Sequence, residues 1–149
     1  MAGRLEDNEL LRGETQFVRD LPRADCAHAV FVRSQVAAGE IVRIDCSAAA
    51  AAPGVIGVLT ADDLRLQPFN YYEPVPDEMA RPHLATDRVR MVGELLAVVV
   101  ADTAARAVDA AELVDVDIQV TDGVVDPRRA ADRDAPFLFD RPEGNVVMH

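Results

Sequence analysis

From Arg88 to Val120 the chain reads RVRMVGELLAVVVADTAARAVDAAELVDVDIQV, three elements with hardly a residue between them. Leu95–Ala101 follows a Gly93-Glu94 pair and has no polar side chain, so as a strand it must be covered on both faces. Thr103 then caps an alanine-rich helix. Its expected stripe is Ala104, Val108 and Ala111, joined by Ala107 and Val114, with Arg106, Asp109 and Glu112 facing water. Beyond it Val114, Val116, Ile118 and Val120 point one way along a strand, and Asp115, Asp117 and Gln119 the other. A strand, a helix and a strand set this tightly require a sheet with a helix laid over it.

A chain of 149 residues makes one domain and buries roughly two thirds of its unfolded surface. The net charge of −11 argues against nucleic acid or an anionic membrane as the main partner. No apolar run approaches the roughly 18 residues of a membrane span, and charges run through the first 20 residues. The reading is a cytoplasmic protein without a membrane segment or secretory signal. Cys26 and Cys46 are too few for an iron–sulfur cluster, which takes about four thiolates. They are expected to be buried free thiols.

Three regions follow from the punctuation. Residues 1–26 form a charged arm broken by Gly13 and Pro22, with one short strand expected over 15–19. Residues 27–121 form the core. There His28, Val30 and Val32 share a strand face, and a second strand over 40–46 turns Val42, Ile44 and Cys46 inward with Arg43 and Asp45 out. Ser47 caps a short helix that Pro53-Gly54 stops. A strand over 55–59 leads to Thr60 and Asp63, spaced as a helix-capping pair. Within the core, residues 65–82 hold Pro68, Pro74, Pro76 and Pro82 beside Phe69, Tyr71 and Tyr72. A loop of this length either packs on its own domain or docks onto a partner. Residues 122–149 form a tail with a helical turn expected near 127–132.

Motifs that would carry chemistry are sparse. No GxGxxG, GxxxxGK[ST] or GxSxG occurs, and His28, His83 and His149 have no second histidine at ligand spacing. Asp115 and Asp117 project from one strand face, where a hard cation is conceivable but simple solvation is the plainer reading. Glu94 is the most interesting carboxylate. Burial next to an apolar strand would suit an acid–base group, whereas a place after Gly93 suits a turn anchor, which is the preferred reading.

Five segments carry a family resemblance. VRMVGELLAVVVADTAARAVDAAELVDVDI is similar to the VGEPVAxVVAxTxxxAxDAAxLVxVxY block of the xanthine dehydrogenase, aldehyde oxidase and carbon monoxide dehydrogenase large subunits. RLEDNELLRGETQFVRDL, FVRSQVAAGEIVRID, SAAAAAPGVIGVLTADDL and PHLATDRVRMVGE resemble that family's other segments in the same order. The resemblance implies an α+β fold, the α/β-hammerhead, with a mixed sheet covered by one main helix and short helical turns. It also implies a non-catalytic module of a molybdenum hydroxylase that scaffolds the molybdenum domains and the iron–sulfur and FAD subunits. The parent complex would use molybdopterin, [2Fe-2S] clusters and FAD, none of them bound by this segment. Leu95 stands where the family has proline. Gln35, Val36 and Ala38 replace its SPHAHA proline and histidines, which raises the alternative of an orphan binding domain that lost the enzyme. Phe69, Tyr71, Tyr72, Gly93 and Glu94 are the candidate subunit or domain contacts, and no catalytic, cofactor or metal residue is assigned.

Overall fold

In a computed structural model of the protein, residues 4–18, 21, 25–70, 75–140 and 144–146 are described. The elements run α1 (Asp7–Arg12), β1 (His28–Arg33), β2 (Gly39–Asp45), α2 (Ser47–Ala50), β3 (Val55–Thr60), α3 (Ala61–Leu64), β4 (Arg88–Val89), β5 (Leu95–Ala101), α4 (Ala104–Ala111) and β6 (Asp115–Val120). The α+β hammerhead class stands, with one refinement. In place of a single mixed sheet there are two three-stranded sheets, ordered β1-β5-β3 and β4-β2-β6, and every pairing in them is antiparallel.

The apolar strand sits where its composition demands. β5 is the centre of its sheet, hydrogen-bonded to β1 on one side and β3 on the other, and all but two of its residues are buried. α4 packs on β1 and β5, and α2 packs on β3 and α4. Ala49, Ala107, Ala110, Ala97 and Ala101 are all essentially inaccessible, so small side chains bring the helices close to the sheet. This corrects the expected helix stripe. The buried positions are Ala107 and Ala110, while Val108 is 48% exposed, because close contact selects the alanines rather than the larger valine.

A second core cluster, Ala85, Val89 and Leu96, joins the two sheets and is flanked by Val32, Val36, Ile41, Ile44, Val116 and Ile118. β2 carries a bulge that shifts its register between Ile41 and Arg43. The extra residue resets the alternation. Ile41 and Ile44 therefore face the core, and Val42, expected inside, is 61% exposed. At the other end of β2, Gly39 lies between Val89 and Val120 of its two neighbours. A Cβ built there would come within 2.5 Å of Ile118 Cγ2 and 2.8 Å of the Gln119 carbonyl, so the sheet closes only on glycine.

Local signals fared unevenly. Thr60 and Asp63 form the expected capping box on α3, with the Asp63 carboxylate accepting from the Thr60 amide at 2.7 Å. The side chain that caps α2 is Asp45 rather than Ser47: its Oδ1 accepts the Ser47 amide at 2.9 Å. In the arm, the described residues of 15–19 form no strand, and Arg19 lies outside the described residues. The arm instead carries α1, which has Asp7 and Glu9 in its first turn, Arg12 in its last and Gly13 at its C-terminal cap. Cys46 is half-buried and Cys26 exposed, so neither is the buried thiol expected, and the expectation fails outright for Cys26.

Candidate functional site

Two sequence features meet at one place. The Gly93-Glu94 turn and the Ser34–Ala38 connection, the segment that departs from the SPHAHA pattern, are joined by backbone hydrogen bonds. Gly93 N donates to the Ser34 carbonyl at 2.8 Å, and Ser34 N donates to the Glu94 carbonyl at 2.9 Å. Arg33 closes the same joint by donating to the Gly93 carbonyl at 2.9 Å. Gly93 takes a φ of +83°, a conformation in which a side chain is strained. Buried Ser34 folds its own connection, its Oγ donating to the Val36 carbonyl at 2.8 Å and accepting the Val36 amide at 3.1 Å.

Glu94 is 6% exposed, and its Oε2 accepts the backbone N–H of Arg90. Its carboxylate is thus spent inside the turn, which agrees with the turn-anchor reading. Arg90 continues the network. Its guanidinium lies 3.5 Å from Asp87 and donates from Nε to the Leu138 carbonyl at 3.0 Å. Burial alone would raise the Asp87 carboxyl, but Arg90, hydrogen bonds from the backbone and Thr86, and Arg88 together hold it below the usual range.

The two histidine positions of the family pattern are filled by packing. Val36 flanks the inter-sheet core, and Ala38 is buried against Gly123, where an added Cβ would come within 3.0 Å of Ala38 Cβ. Beside this joint, a groove of about 670 Å³ runs between β1, the end of α4 and β6. Val30, Val32, Leu96, Val108 and Val116 make it largely apolar, with Arg33, Glu112 and Asp117 among its polar lining.

The described residues of the loop over 65–82 make more contacts than its prolines imply. Phe69 and Arg81 form an antiparallel bridge at its neck, and the Asn70 side chain donates to the Val75 carbonyl at 2.6 Å. A 3-10 turn, Asp77–Met79, buries Met79. Phe69 packs at a tilt on His83, with ring centroids 6.1 Å apart, and remains half exposed. Tyr71 and Tyr72 lie outside the described residues.

The acidic face of β6 is tied to β2 rather than arranged around a cation. Arg43 pairs with Asp115 and, at 3.0 Å, with Asp45. The hydrogen bond and charge of Asp115 raise the Arg43 pKa further above its already high value. Among the described residues no three of His, Cys, Asp and Glu are grouped to hold a metal ion. Nor is any helix among them long and apolar enough to cross a membrane.

The profile of the aldehyde oxidase and xanthine dehydrogenase a/b hammerhead domain matches residues 12–122. The chain belongs to this family. It is 36% identical over 144 residues to the nicotine 6-hydroxylase large subunit of Paenarthrobacter nicotinovorans, covering 94% of this chain and 18% of that one. It is 39% identical over 136 residues to the carbon monoxide dehydrogenase large chain of Afipia carboxidovorans, covering 91% and 17%. Among solved structures, quinoline 2-oxidoreductase from Pseudomonas putida 86 superposes with a TM-score of 0.82 at 33% identity, covering 99% of this chain and 19% of that one. The reduced Cu,Mo-CO dehydrogenase superposes with a TM-score of 0.75 at 35% identity, covering 91% and 17%. The chain therefore spans less than a fifth of the relatives it matches. Within the hammerhead family match, sequence reasoning singles out Glu94 and passes over Ser34, Arg33 and Arg90. The two arginines at Arg88 and Arg90, alternating just before Gly93-Glu94, are the available signal.

Proposed function

We propose that the chain is the non-catalytic hammerhead part of a molybdenum hydroxylase of the xanthine, aldehyde or carbon monoxide dehydrogenase type. Its work is to scaffold the molybdenum domains against the iron–sulfur and FAD subunits, in the cytoplasm. The observation that carries this reading is coverage: nearly all of this chain aligns with less than a fifth of large subunits that belong to oxidoreductases. Residues 27–121 are the working unit, with 1–26 and 122–149 as arm and tail.

Molybdopterin, [2Fe-2S] clusters and FAD belong, on this proposal, to the rest of the complex. The donor set falls short of an iron–sulfur cluster: two cysteines are fewer than its thiolates, and the buried carboxylate of Glu94 is held by a backbone amide. No catalytic step is assigned to this chain. Phe69, Tyr71 and Tyr72 supply contact area at low entropic cost, each aromatic anchor contributing about 1.5–3 kcal/mol when fully covered. Gly93 and Glu94 contribute by shaping the turn that presents Met91 and Val92, both exposed, to a neighbour.

The test is to purify the tagged chain from its native host, separate it by gel filtration and measure metals in the eluate. Co-elution with molybdenum and iron is expected. A chain that elutes by itself, free of both metals, overturns the proposal and favours the orphan binding domain.

A further inference from the structure

The hammerhead match stops at residue 122, yet described residues beyond it are held in place. Asn145 organises it from within. Its side-chain amide donates to the carbonyls of Ala130 at 3.1 Å and Pro136 at 3.0 Å, while its Oδ1 accepts the Leu138 amide at 2.9 Å. One side chain therefore ties together three points that lie 15, 9 and 7 residues away along the chain. The folded tail is then fastened to the core by arginine. Arg90 donates from Nε to the Leu138 carbonyl at 3.0 Å and from a terminal nitrogen to the Arg88 carbonyl at 3.3 Å. Its guanidinium carbon stands 5.2 Å from the Phe139 ring centroid, and the side chain is 14% exposed. Arg88 adds a fork to Asp140 at 3.2 and 3.4 Å.

These bonds differ in weight. Arg88–Asp140 is open to solvent on the aspartate side, and such pairs contribute little. Arg90 is largely desolvated and combines an aromatic stack, a carbonyl bond and an ion pair, which a planar guanidinium can do at once and an ammonium cannot. The backbone N–H of the same residue is the one bound by Glu94, so the clasp is anchored on both sides.

We propose that Arg90 is a positioning residue that docks residues 136–140 and 144–146 onto the hammerhead as a rigid strap. The strap fixes the direction in which the backbone leaves the domain, whereas an undocked linker of this length would sample many directions. The proposal holds whether or not the chain serves a molybdenum enzyme, since it concerns only how this domain holds its own tail.

Hydrogen exchange with mass spectrometry tests it on the full chain, with any subunits that co-purify. The peptide over 136–140 is expected to be protected in the native protein. Arg90→Lys and Asn145→Ala should each speed its exchange by roughly tenfold or more while peptides over β5 keep their protection. If Arg90→Lys also opens β5, Phe139→Ala decides, because it removes the ring under the guanidinium from the tail side; opening confined to the tail supports the strap. Exchange of the native 136–140 peptide at the unstructured rate, or protection unchanged in the variants, overturns it.

Discussion

Replacing Glu94 discriminates a turn anchor from an acid–base group. The Glu94 carboxylate is buried and accepts the Arg90 amide. Hydrogen bonds to a charged group contribute about 1.5–3 kcal/mol and neutral ones about 1 kcal/mol. Glu94→Gln keeps an acceptor of the same shape, so it should lose only the charge assistance, about 1 kcal/mol. Glu94→Ala leaves the Arg90 amide without its partner, at about 1–3 kcal/mol, and removes one packed methylene worth about 1 kcal/mol more. At about 3 °C per kcal/mol for a chain of this size, the melting temperature should fall by about 3 °C for glutamine and about 6–12 °C for alanine. Thermal denaturation followed by circular dichroism at neutral pH reads both. In the proposed molybdenum complex, turnover per molybdenum should stay within a few-fold of native for glutamine, since an acid–base role would cost about 10²–10⁴-fold. Glutamine as damaging to stability as alanine, or harmless to stability but ruinous to turnover, would refute the reasoning.

Two strand glycines should respond to alanine with opposite sign. Gly39→Ala drives a Cβ into Ile118 and the Gln119 carbonyl and should destabilise by about 1–3 kcal/mol, whereas Gly57→Ala, which places its new methyl in open space with nothing within 4 Å, should gain about 0.4–1 kcal/mol. Urea denaturation of both variants checks this. Asp63 should show a pH-dependent contribution. Hydrogen bonds from the Thr60 amide and hydroxyl hold its carboxyl below the usual range, so its stabilisation is complete above its unfolded pKa and fades as the pH falls through the lowered folded value. The melting-temperature gap between native protein and Asp63→Asn should accordingly be present at neutral pH and close in strong acid.

Local patterns make much of this fold legible. The unbroken apolar run of β5 points to a strand covered on both faces, and Thr60 with Asp63 points to a capped turn; both depend on residues within a few positions of each other. What escapes is set by partners far along the chain. The bulge that turns Val42 outward exists because Ile41 and Arg43 pair with Ile118 and Asp117 of β6, and no periodicity in 39–45 records it. The helix sits rotated from its hydrophobic stripe because Val108 outranks alanine in hydrophobicity, whereas contact with β1 and β5 selects for size. Glu94 is legible as a turn residue, but beyond the alternation of Arg88 and Arg90 nothing in the sequence marks Arg90 as its partner, and the hold of Arg90 on Leu138 48 residues later is not marked at all.

The order of the strands has a consequence for synthesis. β1, β2 and β3 never pair with one another: β1 and β3 wait for β5, and β2 waits for β4 and β6. A nascent chain that has just completed β3 at Thr60 therefore holds three strands and no ladder, and the last pairing becomes possible only once Val120 has been made. At about 5–20 residues per second, those sixty residues take roughly 3–12 seconds. Within that interval β1 and β3 have no partner strand until β5 is complete at Ala101, and β2 has only the two-residue β4 until β6 is made, a window in which their unpaired edges are open to aggregation.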